Sequence, residues 1–200
     1  MSSYPNNLSH FIAAVQGAAG NTVVTGYFNG TLQLGGPAGI ILEATGEQDV
    51  VVAWLSPTGT WLRATRAGGI GDERPTAIAL DAAGNIVVAG FFYKKMNASN
   101  SPVSFSTHTL LLPTAPVSNY PFSSDVFVAC LSPASIWTHA VQGGGVGTRS
   151  VIAGDAVGNV TVAGNIIGAS AAFGPFTLTE ANPTVVNGSP FVARLNVAGA

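Results

Sequence analysis

The sequence predicts an all-β fold: a β-propeller-like array of four-stranded antiparallel units, about two and two-thirds of them, forming an incomplete ring. Three observations predict it. Helical periodicity is nearly absent, while runs of five to seven residues rich in Val, Ile, Thr and Phe are punctuated by 25 Gly and 12 Pro, the pattern of many short strands between turns. One short motif occurs three times, and a second occurs in step with it. Several runs are apolar at every position, as in Ile86-Val87-Val88-Ala89, and such strands need cover on both faces. Sheets stacked around an axis provide that cover, so the propeller arrangement ranks ahead of a parallel β-helix, whose coil would be shorter and steadier.

The first motif reads Gln16-Gly17-Ala18-Ala19-Gly20-Asn21-Thr22-Val23-Val24-Thr25-Gly26, then Asp81-Ala82-Ala83-Gly84-Asn85-Ile86-Val87-Val88-Ala89-Gly90, then Asp155-Ala156-Val157-Gly158-Asn159-Val160-Thr161-Val162-Ala163-Gly164. Gly20 and Gly84 are 64 residues apart, and Gly84 and Gly158 are 74 apart. Asp caps a tight turn through its side chain and Gly supplies a positive φ without steric cost, so each copy predicts a strand folding back on the one before. Asp81 and Asp155 are therefore read as turn caps. The second motif is Asp49-Val50-Val51-Val52-Ala53-Trp54-Leu55-Ser56-Pro57, answered by Asp125-Val126-Phe127-Val128-Ala129-Cys130-Leu131-Ser132-Pro133 and by Pro190-Phe191-Val192-Ala193-Arg194-Leu195. Ser56-Pro57-Thr58-Gly59-Thr60 predicts the next turn, and strands containing Trp61 and Trp137 follow, each ending in a glycine run.

In the second unit the strands are expected at 76–80, 85–92, 125–131 and 136–142, with a further hairpin or strand at 103–112 inside a longer excursion. The whole chain, 1–200, reads as a single repeat array with units at 11–72, 73–146 and 147–200, the last truncated. Propellers close with four to eight blades, so the expectation is a piece of a longer repeat protein or a homo-oligomer that completes the ring by association.

The pairing of Asp81-x-x-Gly84-Asn85-Ile86-x-Val88-x-Gly90 with Asp125-x-Phe127-Val128-Ala129-x-Leu131-Ser132-Pro133 and a trailing Gly143-Gly144 resembles the bacterial β-propeller repeats of large secreted and surface-anchored proteins. The resemblance covers nearly all of residues 11–200. It implies a scaffold without defined chemistry and a secreted or cell-surface location. Such proteins often carry signal and sorting segments; Met1-Ser2-Ser3-Tyr4-Pro5-Asn6-Asn7 has neither the positive start nor the apolar stretch of a signal peptide, so the expectation is an internal protein or a chain lacking its native beginning.

Composition narrows the functions. Charged residues make up 8% of the chain against roughly 25% in an average soluble protein, and the net charge is −2. That offers no basic field for nucleic acid and no polybasic patch for an anionic membrane. No apolar run nears the roughly 18 residues of a membrane helix, so no membrane insertion is expected. One cysteine excludes an internal disulfide.

No catalytic constellation, metal site or cofactor motif is legible. Cys130 aligns with Trp54 and Arg194; a position accepting all three reads as lying outside the core and as an unreactive thiol. His10, placed before the first strand, His108 and His139 fall at unrelated positions without zinc spacing. Gly143-Gly144-Gly145-Val146-Gly147 lacks the Lys-Ser/Thr ending of a phosphate loop and reads as a flexible link between units. Sequons occur at Asn7, Asn29, Asn97, Asn159 and Asn187, as a chain rich in Asn, Ser and Thr yields by chance.

Loops on a rigid scaffold carry function, and one rim of the array gathers most of the charges and exposed aromatics. Its expected recognition surface comprises Asp72, Glu73 and Arg74 in one link, Arg149 in the next, and Tyr93, Lys94 and Tyr120 in the long excursion. The leading reading is a non-enzymatic propeller scaffold or interaction module that binds a protein or glycan. The alternative is a lectin-like propeller assembled from several chains, with Trp61 and Trp137 stacking on sugars or, more plainly, packing between strands. An enzyme with a central site is the third reading; the innermost strands, Ile78-Ala79-Leu80 and Val151-Ile152-Ala153, are small and apolar and count against it.

Overall fold

A computed structural model describes residues 8–81, 83–93, 102–111, 124–144, 146–154, 159–166, 170–173, 176–179 and 189–195. At a few of these positions, 146–150 among them, only the backbone is described. The fold is all-β and every named strand pairing is antiparallel.

The first stretch forms β1 (Ser9–Gln16), β2 (Thr22–Phe28), β3 (Thr31–Leu34), β4 (Ile40–Glu43), β5 (Asp49–Leu55) and β6 (Trp61–Gly69). The second forms β7 (Asp72–Leu80), β8 (Ile86–Tyr93), β9 (Val103–Phe105), β10 (His108–Leu110), β11 (Ser124–Leu131) and β12 (Trp137–Gly144). The third forms β13 (Val146–Gly154), β14 (Val160–Ile166), β15 (Ser170–Phe173), β16 (Phe176–Thr179) and β17 (Ser189–Leu195). His10 therefore lies inside β1, where it pairs with Tyr27, rather than before the first strand.

The sheets run in the orders β1-β2-β5-β6-β9-β10, β7-β8-β11-β12-β15-β16 and β13-β14-β17, with β3-β4 as a separate hairpin, and among the described residues none closes on itself. Two of them thus hold six strands where four were expected. The extra pair is a hairpin contributed by the following stretch: β9 joins β6 through Gly68↔Ser104 and Gly69↔Val103, and β15 joins β12 through Gly143↔Phe173 and Gly144↔Ala172. The glycines permit this approach. A Cβ on Gly69 would collide with the backbone of Pro102, and one on Gly143 with the ring of Phe173. The glycine run read as a flexible link is accordingly the extended end of β12 and the start of β13, with residue 145 outside the described residues.

Turn chemistry follows the sequence. Asp81 accepts the Asn85 backbone N–H at 2.7 Å and its side-chain amide at 2.8 Å, while Gly84 adopts φ 80°. Ser56 and Ser132 close equivalent turns, accepting the N–H of Thr60 at 3.0 Å and of Ile136 at 3.3 Å through their hydroxyls. The third copy of the first turn, around Asp155, lies outside the described residues.

Core residues separate by strand face. On β5, Val50, Val52 and Trp54 join Ile86, Val88, Phe92, Phe127, Ala129, Leu131 and Trp137 in one cluster between the first and second sheets, with Val103, Phe105 and Leu110 of the β9–β10 hairpin. On β11, the alternate residues Val126, Val128 and Cys130 pack with Val160, Val162 and Phe191 between the second and third sheets. Val51, Ala53 and Phe28, on the far side of the first sheet, are covered by Leu32 and Leu34 of β3. Cys130 and Trp54 are both buried, correcting the expectation that their position lies outside the core. The fronts and backs of β5 and β11 are both packed, which is why these strands are apolar at consecutive positions.

Candidate functional site

The expected rim lies where the segment before β5 meets the start of β7. Gln48 and Asp72 form a parallel bridge, reinforced by the Glu73 N–H donating to the Gln48 carbonyl at 2.8 Å. This pairing carries Asp72, Glu73 and Arg74 into the first residues of strand β7 rather than into a loop.

Asp49 is fully buried, with one oxygen accepting from the Arg66 guanidinium at 2.6 Å and from the Thr45 N–H at 3.1 Å. Its other oxygen, Oδ1, has no hydrogen-bond partner. The Gly68 position makes room for this carboxylate, because a Cβ there would collide with it. Glu73 is also fully buried. Its Oε2 accepts the Gly69 N–H at 2.7 Å and its Oε1 has no partner. Burial, with lesser repulsion from Asp49, Asp72 and Glu47, pushes the Glu73 carboxyl up to about 8, so it holds its proton at neutral pH. Burial likewise raises Asp49 and Asp72, against the pull of Arg66 and Arg74 respectively.

Arg74 donates from Nε to Gln48 Oε1 at 2.7 Å and from Nη2 to Asp72 at 3.3 Å, and its guanidinium lies 5.2 Å from the centre of the Tyr27 ring. Tyr93 pairs in register with Asp72 and sits edge-on to Phe91 at 5.1 Å. Burial raises its phenol, and Asp72 adds to that while Arg74 opposes it. The structure therefore brings Asp72, Glu73, Arg74 and Tyr93 together. Asp72, Arg74 and Tyr93 reach solvent in part, whereas Glu73 belongs to the interior. Lys94 and Tyr120 lie outside the described residues, as does the side chain of Arg149, whose backbone belongs to β13.

Sequence reasoning missed Asp49, Gln48 and Arg66, which complete the cluster. The available signal was the acidic start shared by Asp49 and Asp125. At the second junction Asp125 is also buried, and the side chain of Gln142 donates to it in the place of Arg66. Of the sugar-stacking candidates, Trp137 is buried, donates its indole N–H to the Arg66 carbonyl at 3.2 Å and meets Phe105 edge-on at 5.1 Å. Trp61 stacks on Phe11 at 5.5 Å. The Cys130 thiol is pushed up by burial, which suppresses the thiolate. Among the described residues no group of three or more His, Cys, Asp or Glu side chains is placed to hold a metal ion.

Chemically, the junction pairs two partly exposed guanidinium groups, those of Arg66 and Arg74, with carboxylates and with Tyr27 and Tyr93. That combination suits hydrogen bonding and ring contact with a polar ligand. Comparison with protein-family models and with characterised proteins finds no match to this chain.

Proposed function

We propose that the chain is a non-enzymatic scaffold of β-propeller repeats, an interaction module of a larger secreted or cell-surface protein that presents its rim to a protein or glycan. One observation carries the reading: three antiparallel sheets whose strand order starts alike are stacked face to face, and their first strands β1, β7 and β13 lie side by side. In a propeller the first strands line the axis in this manner. The rim's Asp72, Arg74 and Tyr93 provide the ligand-facing chemistry, and Arg149, Lys94 and Tyr120 are its sequence-based candidates outside the described side chains.

The test is a double variant, Arg74→Ala with Arg149→Ala, compared with the wild type for capture of purified candidate ligands and on a glycan array. The expected outcome is weakened capture by both protein and glycan ligands with the strand content unchanged in circular dichroism. Undiminished capture by a folded double variant would remove the rim from the proposal.

A second reading is a lectin-like propeller assembled from several chains. The half-buried Tyr27 and Tyr93 beside Arg74 favour it, since sugars bind through ring faces and polar edges. A silent glycan array with a confirmed oligomer rejects it.

A further inference from the structure

The third sheet exposes a face that its two predecessors bury. Register places Val151, Ala163 and Val192 in one row across β13, β14 and β17, and Ala153, Thr161 and Arg194 in the next. The matching rows of the second sheet are Ala77, Ala89, Val128 and Ala79, Val87, Cys130. In the first sheet they are Ala13, Thr25, Val52 and Val15, Val23, Trp54. Val52 is 0% exposed and Val128 7%, because another sheet covers each; Val192, at the same place, is 70% exposed, and Val151 beside it 68%.

What covers the first two faces is in each case the reverse side of a following sheet: the second sheet presents apolar residues of β7, β8 and β11, and the third presents Val160 and Val162 of β14 and Phe191 of β17. The first sheet has such a reverse side, and among the described residues no further sheet lies behind it. Its outer part is covered by the β3–β4 hairpin, but along β1 the described residues leave the face open, with Phe11 at 43% exposure and Ala14 exposed. The corresponding strand of the second sheet packs there through Ile78 and Leu80.

We propose that the open face of the third sheet, centred on Val151 and Val192, docks on the β1 side of the first sheet of a second copy of this chain. The contact continues the sheet-on-sheet interface that the molecule already makes twice. It joins two different surfaces, so it is heterologous and adds copies head to tail until the rotation closes a ring or a filament grows. A second copy is the occupant that fits, because it carries the reverse side of a sheet of this same build, with apolar residues on β1 left for solvent. The inference stands apart from the ligand-binding rim, which lies at the junction of the first and second sheets.

The test is sedimentation of the purified chain across a concentration series, with Val192→Asp and Phe11→Asp as single variants. The wild type is expected to associate with concentration, and each variant to weaken association by at least about tenfold, since a charge would be buried in an apolar contact. The decisive measurement is the mixture. Val192→Asp keeps an intact β1 side and Phe11→Asp an intact third sheet, so together they should form a one-to-one dimer that grows no further. Ala14→Lys replaces Phe11→Asp if loss of the Phe11–Trp61 stack unfolds the first sheet. A wild type that stays monomeric up to its solubility limit overturns the proposal and assigns the face to some other partner. So does association untouched by either variant, or a mixture that fails to pair.

Discussion

Glu73 shows how far a residue's environment can depart from the reading its type invites. A charged residue between Asp72 and Arg74 in a link reads as solvated, yet its carboxyl is fully buried with one oxygen unpartnered. Because the folded-state value of about 8 lies above the ordinary 4.5, the folded protein holds this proton more tightly than the unfolded chain. Its contribution to stability is whole below pH 4.5 and is lost as pH rises through about 8. Inside that window each pH unit removes about 1.4 kcal/mol from this group. Asp49 and Asp72 are shifted in the same direction and add to the trend. The expected outcome is a melting temperature that falls steadily from mildly acidic to mildly alkaline pH. Glu73→Gln should flatten that slope and melt higher than the wild type at alkaline pH, as read by thermal unfolding at several pH values. An unchanged slope in the variant would place the titration elsewhere.

At the scale of elements, the hairpins were the least legible feature. The principal strands of the second stretch were expected at 76–80, 85–92, 125–131 and 136–142 and are found at Asp72–Leu80, Ile86–Tyr93, Ser124–Leu131 and Trp137–Gly144. Their apolar runs and turns are local, so the sequence showed them. The early start of β7 depends on pairing with Gln48, a partner distant along the chain, and no local pattern announces it. The Gly143-Gly144 pair ending β12 reads as part of a linker because glycine runs commonly mark loops; it and the Gly68-Gly69 pair ending β6 are landing sites for β15 and β9. Gly69→Val should expel the β9–β10 hairpin by steric collision, since its Cβ would meet rigid backbone. Phe105, fully buried against Phe127 and Trp137, would leave the core with it. The check is hydrogen exchange: amides of β9 and β10 lose protection first, and a hairpin as protected as in the wild type refutes the landing-site role.

Across the whole molecule, stability is organised by neighbouring sheets. The third sheet packs through β13 on β7, β8 and β11 of the second, and its buried Val160, Val162 and Phe191 share a cluster with β8 and β11. Deleting methyl groups there should loosen that interface and leave the first sheet intact. Val162→Ala is expected to cost about 1–3 kcal/mol locally, seen as faster exchange in β13, β14 and β17 with β1, β2 and β5 unchanged. A uniform loss of protection would mean one cooperative unit instead. The same stacking explains why one strand position carries Trp54, Cys130 and Arg194: the first two face a following sheet, and Arg194 lies on the face exposed to solvent.

The sequence by itself determined the all-β class, the turn at Asp81 and the serine-closed turns, because short β-branched runs and turn chemistry act within a few residues. It also brought Asp72, Glu73, Arg74 and Tyr93 to notice as a group. The tertiary structure alone decided that Glu73 is interior, that Asp49, Gln48 and Arg66 complete its surroundings, and that each later hairpin joins the sheet before it. These depend on groups far apart in the chain meeting in a space from which water is excluded; apart from the acidic start that Asp49 shares with Asp125, such burial leaves little mark on the local sequence.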